Sequence, residues 1–480
     1  MNNTTNLKQQ TKKGLYWSFF NQFATNGMQF CVGIVMARLL SPSDYGITAL
    51  PAVFMAIANI LQNGGLSDAL VRKTDLREED LSTSFYYSIS MGILMYFSLF
   101  STAPLIADFY DTPILIPLLR VTALGFLWGP LNTSQNVILS RRLDFKTPTK
   151  ISLFSRIISA GVGIGMAYAG YGLWALVISG LLASLITVFL SWLAVRWIPR
   201  TGWSKASFKY LWGYGNKIMM SYGLNTLYEN ITPIFVAKYY SPADLGVYNR
   251  AQGYAALPSQ QINGVIQRVT FPVLSKMQDD DEFLARNYRR MLRVSAFIVF
   301  PIMMMLSALA RPFVILLITE KWESCIILLQ IICFSMMWYP VHAINLNLLQ
   351  VKGRSDYFLK LEIIKKIIGV SMLCITVPIG IVAMCYGSIC TSIICLGVNT
   401  HYTWKLIGYG FKRQMREMLP TLLHALVMGA IAWTAVQLLP TIESQLIGGI
   451  LSGATYYIIG AWLLKFKELQ EVVSLIKRKK

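Results

Sequence analysis

Long apolar runs separated by short polar breaks recur along this chain from Leu15 to Leu464. Each run has roughly the 17–25 residues that an α-helix needs to cross a hydrocarbon core. The pattern predicts about 14 transmembrane helices. They fall near 15–40, 43–66, 82–107, 113–139, 150–170, 173–195, 210–239, 243–274, 291–318, 322–349, 362–378, 381–404, 418–439 and 444–465. The weakest break, at Pro378-Ile379-Gly380, is nearly uncharged. The fold class is an all-α membrane protein, and the spans leave no length for a sizeable soluble domain.

The polar breaks alternate in charge, which tests the helix count. Lys8, Lys12 and Lys13, then Arg72, Lys73 and Arg77, then Arg141, Arg142, Lys146 and Lys150 fall on one side. The same side receives the segments 196–217, 276–293, 352–366 and 405–416 and the tail ending Lys477-Arg478-Lys479-Lys480. The other side gets only Arg38, Lys238, Arg311 and Lys321. By the positive-inside rule the basic side is cytoplasmic, so both termini lie there and the number of spans is even. One span missed early in the chain would erase this asymmetry.

Composition changes the picture little. Of 480 residues, 55% are hydrophobic and 14% charged, against about a quarter charged in soluble domains. The net charge of +20 punctuates the spans instead of forming one patch, so it orients helices and does not bind nucleic acid. The first run, Leu15–Leu40, is too long for a signal-peptide core and lacks a cleavage site, so it stays as a span. Cys385, Cys390 and Cys395 lack metal-ligand spacing and read as buried small hydrophobes. His342, His401 and His424 are scattered, and no metal site is expected. In the tail, Phe466, Leu469, Val472, Val473 and Ile476 form one helical stripe among lysines, which predicts a helix on the inner membrane surface.

One short sentence appears twice. "ARLLSPSDYG" occupies 37–46 and "AKYYSPADLG" occupies 237–246. In the first, Ser41 suits a helix N-cap, Pro42 the first helical position, and Asp44 stands three residues after the cap. Asp44 also complements the positive helix N-terminus. Ser241, Pro242 and Asp244 repeat every element. Further echoes follow in order: "TAPLIADF" at 102–109 with "ARPFVILL" at 310–317, "LDF" at 143–145 with "SDY" at 355–357, and "GLWALV" at 172–177 with "GIVAMC" at 380–385. Collinear echoes indicate an internal duplication. Copies that begin on the same side of the membrane need an even number of spans between them, and six fits. The expected domains are therefore 1–205 (helices 1–6), 206–412 (helices 7–12) and 413–480 (two further helices and the tail). Parallel repeats of this kind place a substrate site at the lobe interface in alternating-access transporters.

On "ARLLSPSDYG", "APLIADFYDTP", "YGLWALV" and the 6+6+2 layout, the whole chain resembles the polysaccharide-transporter branch of the multidrug/oligosaccharidyl-lipid/polysaccharide (MOP) exporter superfamily. The resemblance implies a MATE-like fold. It also implies a flippase that moves an undecaprenyl-pyrophosphate-linked oligosaccharide from the inner to the outer leaflet by alternating access. O-antigen, capsule or exopolysaccharide assembly would use it. A bacterial cytoplasmic membrane, membrane lipids and polysaccharide-assembly proteins are the implied setting and partners.

An ionisable residue within a span is costly and marks a functional candidate. Arg120, Arg156, Arg250 and Arg268 supply basic character at depth, and arginine forks suit a diphosphate. They are the expected lining of a cationic cavity between the lobes, although Arg156 and Arg268 lie near the cytoplasmic ends, where long side chains also snorkel. Glu229 and Arg250 both fall roughly 13 Å below the outer mouth at 1.5 Å per residue and can pair. Glu229 is the candidate for H⁺ or Na⁺ coupling. Asn21, Gln22, Asn26 and Gln29 share one stripe of helix 1, which reads either as sugar-binding amides or as interhelical hydrogen bonding. Pro51, Gly64-Gly65, Gly253 and Pro258 are candidate bends in helices 2 and 8. The run Gly161, Gly163, Gly165 predicts close helix packing.

Two rival classes remain. A multidrug or cation antiporter would favour acidic groups, whereas the deep charges here are mostly arginine. An enzyme would need a catalytic loop outside the bilayer, and no outward loop is long enough. The chain has no Gly-Lys dipeptide and so no P-loop. No cofactor is expected beyond the coupling ion.

Overall fold

The computed structural model describes residues 22, 24–275 and 280–471, and every regular element among them is helical. In chain order they are α1 (24–39), α2 (Pro42–Asn63), α3 (Glu78–Phe109), α4 (Leu115–Arg141), α5 (Lys146–Tyr168) and α6 (Leu173–Val195). Then come α7 (Lys205–Glu229 and Ile231–Tyr239), α8 (Pro242–Ser275), α9 (Asp281–Ala308, extended by Ala310–Ile318) and α10 (Cys325–Val351). The last are α11 (Ser355–Thr376), α12 (Ile381–Ile407), α13 (Phe411–Leu438) and α14 (Ile442–Leu463). Among the described residues, ten of these are long and apolar enough to cross a membrane. Of the other four, α1 is described over 24–39 only, and α7, α8 and α11 carry groups such as Glu229, Arg250 and Lys365.

The repeated sentence folds the same way twice. The Ser41 N–H and hydroxyl both donate to Asp44 Oδ2, at 2.9 and 2.7 Å, and the Asp44 N–H returns a bond to Ser41 Oγ at 3.2 Å. At Ser241 and Asp244 the same three bonds measure 3.1, 2.7 and 3.2 Å. Each is a reciprocal capping box that satisfies helix N-terminal donors otherwise lacking partners. The later echoes also fall at equivalent junctions. Gly172 (φ 53°) and Gly380 (φ 147°) hold left-handed backbone immediately before α6 and α12. The two capped turns meet: a Cβ on Gly46 would overlap the Pro242 carbonyl, and a Cβ on Gly246 would overlap the Pro42 carbonyl.

By packing, the described residues form two compact units that divide between Gly246 and Val247. In the first unit the segment joining α6 to α7 is tied to the start of α3. Trp197 Nε1 donates to Glu78 at 3.0 Å, and Ser204 N donates to Thr83 Oγ1 at 3.1 Å. Gly64 and Gly65, both at positive φ, end α2 and admit α7, because a side chain at Gly65 would overlap the Gly215 carbonyl. Tyr87, Phe208 and Trp212 then stack around Leu66, Leu70 and Leu211. Of the glycine run in α5, only Gly163 meets a neighbour, Ser179 of α6; Gly161 and Gly165 face open space.

In the second unit a buried polar network joins four helices. The Asn345 Oδ1 accepts from Tyr288 Oη at 2.7 Å, Thr403 Oγ1 at 2.8 Å and Gln414 Nε2 at 3.2 Å. In membranes such polar contacts and close packing take the place of the hydrophobic effect between helices. His342 is fixed similarly. The Asn399 amide N–H bonds to its Nδ1 at 2.9 Å, so Nδ1 is the acceptor and Nε2 carries the proton toward Ser392 Oγ at 3.0 Å.

Helix α9 begins about ten residues before the predicted 291, because the Asp280 side chain caps it through Phe283 N at 2.9 Å. The tail departs from a purely membrane-surface helix. Phe466 stacks on Phe297 and His424, while Glu471 and Glu468 pair with Arg290 at 2.9 Å and Arg293 at 3.3 Å. Its Val472, Val473 and Ile476 lie outside the described residues. Of the expected buried cysteines, Cys385 and Cys395 are buried but Cys390 is exposed. Five residues beyond Cys385, it stands about 140° around the helix.

Candidate functional site

Two helices of the first unit are broken where prolines remove backbone donors. Helix α2 pauses at Leu50-Pro51 between its segments Pro42–Ala49 and Ala52–Asn63. Helix α4 passes through a 3₁₀ turn at Gly129–Asn132 that contains Pro130. The turn is accommodated by Gly92 of α3, where a Cβ would overlap the Phe126 carbonyl and crowd the Pro130 ring. The Leu131 carbonyl accepts from Trp192 Nε1 at 2.9 Å, and Trp128 Nε1 donates to Ser184 Oγ at 2.8 Å. Both indoles thus bind the broken helix to α6. Irregular backbone at membrane depth is tolerated where protein or a water-filled cavity receives its polar groups.

Here it lines a cavity of about 660 Å³. Asn59, Gln62 and Asn63 of α2 stand at i, i+3 and i+4, which is one helix face. Asn132 and Asn136 approach from α4, Ser184 from α6, and Tyr45, Thr48, Thr122 and Thr133 complete the polar wall. Met55, Leu118, Phe126, Leu176, Val177 and Leu181 supply the apolar part, and among the described residues none that lines the cavity is charged. Gln62 is nearly inaccessible. The Asn132 Oδ1 is buried and has no hydrogen-bond partner among the described residues. One Asn59 amide hydrogen goes to the Met55 carbonyl at 2.8 Å, which leaves the other and Oδ1 for a ligand.

Of the sequence-predicted residues whose side chains are described, none lines this cavity. On the part of α4 before its 3₁₀ turn the lining residues are Leu118, Thr122, Gly125 and Phe126, and Arg120 projects from the opposite face. Its guanidinium lies 4.2 Å from the Phe100 ring centroid, and Nε donates to the Phe100 carbonyl at 3.4 Å. Arg120 is thus a helix-joining group near the start of α4, and it takes no part in this cavity. Arg156 is half-buried on α5. Arg250, in the second unit, lies 5.7 Å from the ring of fully buried Trp322 and 5.9 Å from that of Tyr254. This aromatic setting strengthens a cation's hold on its place. The side chain of Arg268 lies outside the described residues, as does Asn21.

Gln22 and Gln29 are exposed on α1 and Asn26 is half-buried. Glu229 is exposed at the break in α7 and accepts from Asn225 Nδ2 at 2.8 Å. Among the described residues no group of three or more His, Cys, Asp or Glu could hold a metal. The amide wall was missed in the sequence, although its signal was present. "NILQN" at 59–63 and "NTSQN" at 132–136 each put two asparagines four residues apart, on one helix face, within an expected span.

The sequence pattern that defines the family described as "Polysaccharide biosynthesis protein" matches residues 35–327. The lipopolysaccharide biosynthesis protein WzxC of Escherichia coli is 27% identical over 366 residues, which cover 75% of this chain and 73% of that protein. Among solved structures, the lipid II flippase MurJ in an inward closed conformation superposes with a TM-score of 0.69 at 15% identity, covering 94% of this chain and 98% of that one. An inward-facing multidrug resistance MATE family transporter of the MOP superfamily superposes with a TM-score of 0.60 at 16% identity, covering 80% and 95%. At such identities these two likenesses show a shared fold.

Proposed function

This chain belongs to the polysaccharide biosynthesis protein family, and from that membership we propose that it is a flippase for a lipid-diphosphate-linked oligosaccharide. It carries the head group from the inner to the outer leaflet by alternating access, while the lipid tail stays in the bilayer. The observation that carries this reading is an uncharged amide- and hydroxyl-lined cavity at broken helices, in a multi-pass helical chain of that family. Amides and hydroxyls replace the water that a glycan loses in hydrocarbon. The name of the relative WzxC, a lipopolysaccharide biosynthesis protein, supports the same substrate class. A cation antiporter needs acidic groups in its binding cavity, and this lining has none.

In this account the chain sits in a bacterial cytoplasmic membrane with both termini inside. It is a transporter and makes or breaks no bond in the glycan. Arg250, backed by Trp322 and Tyr254, is the arginine that meets the diphosphate. An ion gradient or consumption of the flipped product supplies the energy, with Glu229 as the coupling carboxylate for H⁺ or Na⁺. Polysaccharide-assembly proteins receive the product.

Arg250→Ala tests the head-group role in a host lacking its own flippase. Surface glycan falls at least about tenfold, the equivalent of one charge-assisted hydrogen bond, while the amount of membrane-inserted protein is unchanged. Normal surface glycan in that strain removes Arg250 from the site.

A further inference from the structure

Several buried polar atoms of the first unit lack hydrogen-bond partners among the described residues, and one of them, Asn132 Oδ1, lies at the α4 break on a residue that lines the cavity. Polar atoms inside a membrane protein find partners or cost several kcal/mol. Trp192 takes the Leu131 carbonyl, and Trp128 takes Ser184. These bonds satisfy one backbone carbonyl and one hydroxyl at the break. The Asn132 Oδ1 remains buried without a partner among the described residues, and Asn59, Gln62 and Asn136 face the same space. Amides both donate and accept, so this wall matches a ligand that does both in many directions.

The chemistry of the wall excludes most other ligands. A diphosphate or a carboxylate would need a cation, and a cationic drug or Na⁺ would need an acid; the lining has neither. An acyl tail would strand five amides in hydrocarbon. The volume, about 660 Å³, falls within the roughly 300–1,000 Å³ of small-molecule sites, which suits a sugar ring or two and excludes a long glycan.

Resting on the flippase reading, we infer that this cavity is a subsite for a neutral sugar residue of the glycan, separate from the place where the diphosphate is held. Asn59, Gln62, Asn132 and Asn136 bond the sugar hydroxyls, and the 3₁₀ turn of α4 brings Asn132 into register with α2. A charged sugar, such as a uronic acid, is rejected there because no counter-charge receives it. Selectivity at this subsite is therefore for neutral over acidic residues.

The test uses the purified full chain and three probes: undecaprenyl diphosphate, the same lipid carrying one neutral hexose or N-acetylhexosamine (glucose, galactose and N-acetylglucosamine in turn), and the same lipid carrying glucuronic acid. At least one neutral-sugar lipid is expected to bind about thirtyfold tighter than the bare lipid diphosphate, the equivalent of two neutral hydrogen bonds. The glucuronic acid lipid gains nothing. The double variant Gln62→Leu with Asn132→Leu loses the increment and keeps the wild-type affinity for the bare lipid. As a readout independent of any substitution, the neutral-sugar lipid slows hydrogen exchange at residues 129–132 of the wild type more than the bare lipid does. If the wild type binds bare and glycosylated lipids equally, or the double variant keeps the increment, the subsite is refuted while the flippase reading stands. Binding of none of the three lipids removes both.

Discussion

Replacing Gly46 with alanine removes most folded protein from the membrane and abolishes surface glycan in a flippase-deficient host. The reason lies in the reciprocal contact of the two capped turns. A Cβ on Gly46 would overlap the Pro242 carbonyl, and one on Gly246 would overlap the Pro42 carbonyl. Both obstacles are backbone at a helix N-terminus, held by capping boxes through Asp44 and Asp244, so no side chain can swing aside. Overpacking against movable side chains costs about 1–3 kcal/mol; against fixed backbone on both sides the cost exceeds that range. Gly246→Ala acts the same way. Gly161→Ala is the control: its neighbourhood is open, and its helical backbone accepts alanine. That variant gains up to about 1 kcal/mol through the unfolded chain. Thermal unfolding in detergent, with surface glycan as the second readout, measures all three. A Gly46→Ala protein as stable as wild type would show that the turns do not meet.

The second large effect is at the start of α3. Asp80 is completely buried, and Lys73 Nζ donates to both its oxygens at 2.8 and 2.7 Å. The Arg77 N–H adds a bond at 3.0 Å, and Ser207 of α7 another. Arg72 and Lys73 also lie over Tyr214 and Tyr210 of α7, at 4.6 and 4.8 Å. Lys73→Met therefore strands a buried carboxylate and loosens α7 as well. The expected loss is about 3–5 kcal/mol, because removing one partner of a buried pair leaves an uncompensated charge. Lys73→Met combined with Asp80→Asn recovers much of that loss, since an amide is far easier to bury than a carboxylate. A double-mutant cycle on thermal midpoints reads the coupling. Strict additivity of the two substitutions would show that the pair is not coupled.

Features governed by local chemistry were legible in the sequence. The two Ser-Pro-x-Asp turns, the apolar spans and the Gly64-Gly65 break depend on residues near one another in the chain. Features governed by helix phase were not. One face of α4 carries Leu118, Thr122 and Phe126 into the cavity of the first unit and leaves Arg120 against Phe100. The burial of a lone charge cannot be read without knowing which face meets a neighbour. Cys390 and the half-idle run Gly161, Gly163, Gly165 illustrate the same point. The amide wall escaped notice for a further reason: it is assembled from α2, α4 and α6, whose contributions are each modest. Broken helices at Pro51 and Pro130 were the better pointer, because unsatisfied backbone demands a polar environment.

The reconstituted protein tests the central claim most directly. Proteoliposomes loaded with undecaprenyl-diphosphate-linked oligosaccharide ending in galactose are exposed to galactose oxidase, which does not cross the bilayer. Wild-type vesicles are expected to present the sheltered leaflet's glycan to the enzyme over time, and protein-free vesicles are not. Glycan that stays sheltered, in vesicles that nonetheless move a cationic dye such as ethidium, would contradict the claim.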